Sequence, residues 1–307
     1  MRGKPAPESI CFGKLPIAGD FLRGDGAAPD FSELDNWVQY GMYESQQQLG
    51  GDWQARFDAL PRTKFLWANG KGPVIAGWWQ ASRDSVGRRY PFLLAAHLPK
   101  VQPQDLPALP FALADFFESA EQLLDTQFAE HDTVSAIEAA QSVPCSINWD
   151  AARQAAQDAQ RSATPQDAWA GHDDAPELLL HDLEQVSGQY NPPLYSLRWA
   201  SRGDASDTSF WLSAMAQFGQ PTPRLMMWHP APSGGDQKGS TRVIMSQLQP
   251  RQFAGMVFFD LDDDDAYDMG RGTAEDKRAQ QARARFAQAV QADSQADAIA
   301  TLPKEAV

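Results

Sequence analysis

The sequence predicts an α+β fold, in which antiparallel or mixed β-sheets are packed by helices. Runs of β-branched and aromatic residues flank Gly- and Pro-rich turns, as in Lys64–Ala68 and Val74–Gln80. Other segments carry apolar residues at helical spacing, such as Leu34, Trp37 and Val38. Apolar residues make up 43% of the 307-residue chain, which is enough to furnish a core.

Residues 1–130 are predicted to form one α+β domain. Proline has no N–H for a ladder hydrogen bond, so Pro91 suggests that its strand lies at a sheet edge or carries a bulge. Asp84–Gly87 is a turn signal just before that strand. The predicted elements, in order, are a strand over Ile10–Phe12, a helix between Asp30 and Gly50, a short helix over Trp53–Leu60, a hairpin of Lys64–Ala68 with Val74–Gln80, a strand over Arg89–Leu98 and a helix over Phe111–Phe128.

Residues 131–192 are predicted to be a helical and linker insertion. Thr133–Ala140, Asp150–Gln160 and Glu177–Gln185 have helical character, and Ser162–Pro176 is predicted to be an exposed loop.

Residues 193–307 are predicted to form a second, smaller α/β half with its own sheet. An acidic run over Asp260–Asp265 is predicted to be a solvated loop, and Ala274–Ala292 a closing surface helix. The other elements expected here are strands over Leu194–Trp199, Ser209–Leu212, Arg224–Trp228 and Arg242–Met245, and a helix over Gln249–Phe258.

Charge and composition exclude several classes of protein. The formal net charge is −14 and the sequence has no basic stripe, which argues against binding nucleic acid or an anionic membrane. The negative charge is explained either by a partner with a basic surface or by solubility alone. The sequence has neither a secretory signal nor an apolar run of membrane-spanning length. Its two cysteines, Cys11 and Cys145, form no CxxC motif. We therefore expect a cytoplasmic protein.

No catalytic or ligand-binding motif emerges from the spacing of the residues. The sequence has no phosphate-binding GxxxxGK loop, no HExxH pair and no GxSxG elbow. Counted as an EF-hand from Asp260, the acidic run has Asp265 where Gly is required and Arg271 where Glu is required. We therefore expect a protein without cofactor or metal that is not an enzyme.

Two segments are candidate binding surfaces. Ile10–Arg23 begins as an apolar strand and is then broken by two glycines and a proline, which predicts a shaped loop on a rigid scaffold. Arg88–Phe92 begins with two arginines and a tyrosine, residue types favoured at interfaces, that could engage an acidic or phosphorylated segment. Solvated arginines on an edge strand are the alternative. The candidate partner-binding residues are Lys14, Asp20, Phe21, Trp79, Arg88, Arg89 and Tyr90.

Two details of these segments have alternative explanations. Asp20 could pair with Arg88 or Arg89 in a cleft, form a structural ion pair or cap a turn. Trp78 and Trp79 are adjacent, and neighbouring strand residues point to opposite faces of a sheet. Either both faces are covered, or one tryptophan lies at an interface with the other half or with a partner.

Several motifs follow one another at characteristic spacings in the first part of the chain. They are Gly13-Lys14-Leu15-Pro16, Gly19-Asp20-Phe21, Trp37, Trp67 with Trp78-Trp79, and Val86-Gly87-Arg88-Arg89-Tyr90-Pro91-Phe92. In order and spacing they resemble the TagF (ImpM) family of type VI secretion accessory proteins, over about residues 10–130.

The resemblance implies a post-translational repressor of type VI secretion that binds the forkhead-associated scaffold protein of that system. It implies that repression works by sequestering the scaffold and involves no covalent chemistry. It does not itself assign contact residues. Two alternatives stay open: a hydrolase with Asp20 and Arg88 or Arg89 in its cleft, and a structural subunit of the secretion apparatus.

Overall fold

The computed structural model describes residues 6–24, 31–68, 73–126, 128, 132–162, 182–183, 196–217, 223–229, 239–258, 261, 266–269, 284 and 288. The strands in these ranges are β1 (Glu8–Gly13), β2 (Leu22–Arg23), β3 (Thr63–Ala68), β4 (Val74–Gln80), β5 (Phe92–Leu98), β6 (Ser196–Ser201), β7 (Leu225–His229), β8 (Gly239–Ile244) and β9 (Ala266–Asp268). The helices are α1 (Ser32–Leu49), α2 (Trp53–Asp58), α3 (Leu109–Ala112), α4 (Ala114–Asp125), α5 (Thr133–Gln141), α6 (Trp149–Ser162), α7 (Ala205–Gln217) and α8 (Gln252–Val257), with 3₁₀ turns at Gly50–Asp52 and Pro103–Ala108.

The described strands form one nine-stranded sheet in the order β2-β1-β5-β4-β3-β7-β8-β6-β9. Every neighbouring pair is antiparallel except β6 with β9. The predicted α+β class is therefore confirmed.

The expectation of a separate second sheet is wrong. Strand β7 pairs with β3, with Phe65 opposite Met227, so the later strands continue the first sheet. Both sides of β3 need a partner, because this apolar strand is buried along most of its length. The division of the chain near residues 130 and 192 stays a prediction.

The predicted strand over Ser209–Leu212 is also wrong, since these residues lie inside α7. All four are buried, so this helix shows no polar face that would reveal its period. A short apolar run does not distinguish a buried helix from a buried strand.

Pro91 lies just before β5, and β5 is an interior strand between β1 and β4. The edge-strand interpretation of this segment is therefore wrong. Proline is tolerated here because it precedes the ladder of hydrogen bonds.

Helices cover both faces of the sheet and create two apolar clusters. Trp78 packs in the cluster with α4, α5 and α7, and Trp79 packs in the cluster with α1, α2 and α8. Both tryptophans are therefore buried. Trp79 also contacts the later part of the chain, with its ring centroid 6.0 Å from that of Phe253.

Several predicted elements lie outside the described residues. They are the hairpin turn at 69–72, the loop from residue 163 onward, most of Glu177–Gln185, all of the acidic run except Leu261, and the closing helix apart from residues 284 and 288. In the part of the chain that is described, none of the helices has the length and apolar character needed to cross a bilayer.

Candidate partner-binding surface

The carboxylate of Asp84 joins the loop after β1 to the turn before β5. Its Oδ2 lies 3.0 Å from Nζ of Lys14 and 2.7 Å from Nε of Arg88. Its Oδ1 accepts the backbone N–H groups of Val86, at 3.2 Å, and Arg88, at 2.8 Å. We call Lys14, Asp84, Arg88 and the loop and turn that they join the Asp84 clamp.

Two further hydrogen bonds hold the same two segments together. The N–H of Ser85 donates to the carbonyl of Ala18 at 2.8 Å. The guanidinium of Arg88 donates through Nη2 to the carbonyl of Gly19 at 2.6 Å. The turn itself needs Gly87, whose φ of 88° is rare for other residues.

The charges of the clamp stabilise one another. Burial alone would raise the pKa of the Asp84 carboxyl, but hydrogen bonds from the Arg88 backbone, Lys14 and the Arg88 side chain lower that pKa well below its ordinary range. The Lys14 ammonium is almost fully buried and lies 4.9 Å from the centre of the Phe21 ring. Asp84 is therefore ionised, and it compensates a buried cation.

Gly13 fixes where the loop leaves β1. Its φ is +126°, and a Cβ built on it would lie 2.0 Å from the carbonyl oxygen of Pro91. No side chain fits that space, so the loop can pass beside the segment before β5 only with glycine at this position.

Phe21 is the exposed aromatic residue of the loop, with 41% of its surface open to solvent. Its ring centroid lies 5.8 Å from that of Phe12 and 4.8 Å from that of Tyr90. The Tyr90 hydroxyl donates to Asp35 at 2.5 Å, and burial together with this bond raises the pKa of the phenol. Phe21 is thus a solvent-facing ring on a fixed aromatic base.

A groove runs beside the clamp, with a volume of about 590 Å³. It is bounded by the ends of β4 and α2 and by the tip of the clamped loop. Its lining residues are Leu15, Pro16, Asp58, Leu60, Arg62, Gln80, Ala81, Ser82, Arg83 and Asp125. We call it the Arg83 groove.

Charged residues along this groove form two ion pairs. Arg89 donates to both oxygens of Asp58, at 2.8 Å and 2.6 Å, which lowers the pKa of that carboxyl. Arg62 donates to Asp125 at 2.7 Å and to the side chain of Gln80 at 3.1 Å.

The structure separates the predicted site residues into two groups. Phe21, Asp20 and Arg88 are exposed, and they remain candidates for partner contact. The expectation of exposed contacts is corrected for Lys14 and Tyr90, which are buried in the clamp and its aromatic base.

The same correction applies to Trp79, which is only 2% exposed because α8 covers its face of the sheet. Arg89 is largely covered by its pair with Asp58.

Asp20 pairs with neither Arg88 nor Arg89, and of its alternatives the structure supports the turn cap. Its Oδ1 accepts the N–H of Phe21 at 2.8 Å, as in a local turn cap, while Arg88 pairs with Asp84. Asp84 and Arg83 belong to this surface but were not among the candidate residues identified from the sequence. The turn signal at Asp84–Gly87 located Asp84, but nothing in the sequence linked it to Lys14.

Neither of the two free thiols is activated. Burial raises the pKa of Cys11 to about 11, and burial with the charge of Glu8 raises the pKa of Cys145 to about 11. Within the described ranges, no three His, Cys, Asp or Glu side chains cluster in a way that could hold a metal ion.

Comparison with known proteins gives a match to the first part of the chain. Residues 10–143 match the model of the TagF N-terminal domain, described as type VI secretion system-associated. The chain in the crystal structure of PA0076 from Pseudomonas aeruginosa PAO1 is 30% identical in sequence to this chain, and the two structures superpose with a TM-score of 0.40. The match covers 45% of this chain and 63% of the PA0076 chain, so this chain spans less than two thirds of the length of PA0076. The search of curated proteins found no match.

Proposed function

Because residues 10–143 belong to the TagF N-terminal domain family, we propose that this chain is a cytoplasmic accessory protein that represses type VI secretion. In this proposal it binds the forkhead-associated scaffold protein of the same system and holds it away from the apparatus. Repression follows from the binding itself, and no covalent bond is made or broken.

The observation that carries the proposal is the exposed ring of Phe21 on the clamped loop. A half-exposed aromatic side chain on a preorganised surface loses little conformational entropy on binding. Aromatic residues, phenylalanine among them, are enriched in the cores of protein interfaces. The loop lies within the matched domain, which supports its use as the contact surface.

The ion pairs of this surface support binding in preference to catalysis. A hydrolase with Asp20 and Arg88 or Arg89 in one cleft would need those groups together. Asp20 instead caps its own turn, and the arginines hold Asp84 and Asp58. A structural subunit of the secretion apparatus is the alternative. A subunit, unlike a repressor, would occupy a fixed position in the assembled apparatus.

Titration calorimetry of the purified chain with the scaffold protein from its own type VI gene cluster tests the proposal. We expect saturable binding that Phe21→Ala weakens by about tenfold, the loss typical of an aromatic hot spot. Tyr40→Ala removes another exposed ring, on α1, and is the matched control with unchanged affinity.

A secretion assay in the producing bacterium separates a repressor from a subunit. Excess chain lowers secretion of a type VI substrate if the chain is a repressor, and Phe21→Ala relieves that effect. Unchanged secretion with excess chain, together with lost secretion when the chain is deleted, would instead indicate a subunit. Absence of scaffold binding would remove the proposed mechanism.

A further inference from the structure

Arg83 differs from the other arginines of this surface because no acidic side chain among the described residues forms an ion pair or hydrogen bond with it. It is exposed, it lines the Arg83 groove, and its backbone pairs with Arg89 in an isolated bridge. Among the residues that the structure describes, none forms a hydrogen bond or ion pair with its guanidinium group. Arg88 and Arg89, which the sequence favoured as the binding cations, are already paired.

Counted over the described residues, the groove therefore carries one positive charge that has no ion-paired carboxylate. The carboxylates of Asp58 and Asp125 are neutralised by Arg89 and Arg62. The charge of Arg83 adds to the effect of Arg89 in lowering the pKa of Asp58, so Arg83 lies within electrostatic reach of this pair. A free guanidinium beside a neutral groove, in a chain of net charge −14, creates a local field that attracts anions.

We propose that the Arg83 groove binds an extended segment of the partner protein through an Asp or Glu side chain that pairs with Arg83. This inference rests on the proposed function and names the contact that function would use. The apolar side chains of Pro16, which is exposed, and Leu60, which is partly exposed, line the same groove and provide contact for apolar residues beside the acidic one.

Charge and size both favour this occupant. A basic segment would meet an unpaired cation and two acids that are already neutralised, so it would gain no ion pair. The planar guanidinium binds a carboxylate through two parallel hydrogen bonds, which gives both strength and orientation. The volume of about 590 Å³ lies within the range of about 300–1,000 Å³ found for ligand sites.

A matched pair of peptides tests the groove without the scaffold protein. The probes are acetyl-Ala-Leu-Glu-Leu-Ala-amide and its Gln counterpart, titrated into the full ¹⁵N-labelled chain. We expect the Glu peptide to shift the Nε–H signal of Arg83 and to bind about fivefold more tightly than the Gln peptide. Arg83→Ala removes this difference, whereas Lys100→Ala, which deletes an exposed cation that does not line the groove, preserves it.

The scaffold protein is then titrated with the same two variants. Arg83→Ala is expected to weaken its binding by about fivefold or more and Lys100→Ala to leave it unchanged. Equal binding by both variants would overturn the groove inference while the proposed function stands. No binding of the scaffold, with the Glu peptide still preferred, would keep the groove and refute the proposed partner. Equal binding of the two peptides would overturn the inference directly.

Discussion

The Asp84 clamp and the Arg83 groove lie side by side and contain the same kinds of side chain, yet they use their charges differently. In the clamp, one buried carboxylate serves Lys14, Arg88 and two backbone N–H groups. In the groove, two ion pairs are complete, and no acidic side chain in the described part of the chain forms an ion pair with Arg83.

This difference separates charges that hold the fold from a charge that is available to a ligand. A buried ion whose partner is removed is strongly destabilising, whereas an exposed cation contributes little to stability. The arginines of residues 83–89 therefore do not form one uniform cationic surface. Arg88 and Arg89 are paired with internal carboxylates, whereas Arg83 forms no ion pair with a described residue.

The largest loss of stability is expected from a substitution at Gly13, where the clamped loop leaves β1. Gly13→Ala forces a Cβ against the Pro91 carbonyl oxygen and a φ of +126° on a residue that avoids it. We expect a loss of about 3 kcal/mol in the free energy of unfolding, measured by urea denaturation. Gly51→Ala is the control, since a Cβ there meets nothing within 4 Å, and it should change stability by less than about 1 kcal/mol. Equal effects of the two changes would contradict the close approach.

Removing the charge of Asp84 tests the clamp electrostatically. Asp84→Asn leaves the buried Lys14 ammonium without its counter-ion, and we expect Tm to fall by about 5–10 °C. Asp158→Asn breaks an exposed pair with Arg161 and should change Tm by about 1 °C or less.

The contribution of Asp84 also predicts the response to acid. Since its folded-state pKa is lowered, the stability it provides is complete above the ordinary pKa of about 3.9 and is lost as pH falls below that value. The difference in unfolding free energy between the natural chain and Asp84→Asn should therefore begin to shrink as pH falls through that ordinary pKa of about 3.9. It should continue to shrink as pH approaches the much lower folded-state pKa. A difference that grows on acidification would contradict the ionised clamp.

Phe21 packs against the clamp with its ring partly exposed, and truncating it is expected to lower the unfolding free energy moderately. Phe21→Ala removes ring contacts with Phe12 and Tyr90 and the ring beneath Lys14, at a cost of about 1 kcal/mol in unfolding free energy. Tyr43→Ala, which truncates an exposed ring on α1, should cost less than about 0.5 kcal/mol. Denaturant titration of both variants measures the difference.

The smallest effect on stability is expected at Arg83. Arg83→Ala removes no described ion pair and should change the unfolding free energy by less than about 0.5 kcal/mol. Arg89→Ala breaks a two-point contact with Asp58 and should cost about 1 kcal/mol. If Arg83→Ala proved the more destabilising of the two, the groove would hold a hidden partner for Arg83.

Local patterns predicted much of this fold. The spacing of Leu34, Trp37 and Val38 predicted α1, and the turn signal at 69–73 predicted the pairing of β3 with β4. The pairing of β3 with β7 was not predictable in this way, because the two strands are far apart in sequence and no local turn signal links them. Helix α7 was mistaken for a strand because burial on every side removes the polar face that marks a helix.

The sequence predicted where the loop and the turn of this surface lie, but it did not predict how their charged side chains pair. Glycine and proline positions located the loop and the turn, and both are present. The pairing of Lys14 with Asp84 depends on two segments that are distant in sequence meeting in the folded chain. Arg83 was overlooked because Arg88 and Arg89 were the more prominent cations, and only the folded structure shows that these two are already paired.

Hydrogen–deuterium exchange of the full chain, with and without the scaffold protein, tests the central claim most directly. We predict that the amides of Ser85, Val86 and Arg88 are protected in the free chain, because their hydrogen bonds are already formed. Addition of the scaffold should then protect residues 81–83 of the groove. Clamp amides that exchange freely until the scaffold binds would contradict the distinction between a folded clamp and an available groove.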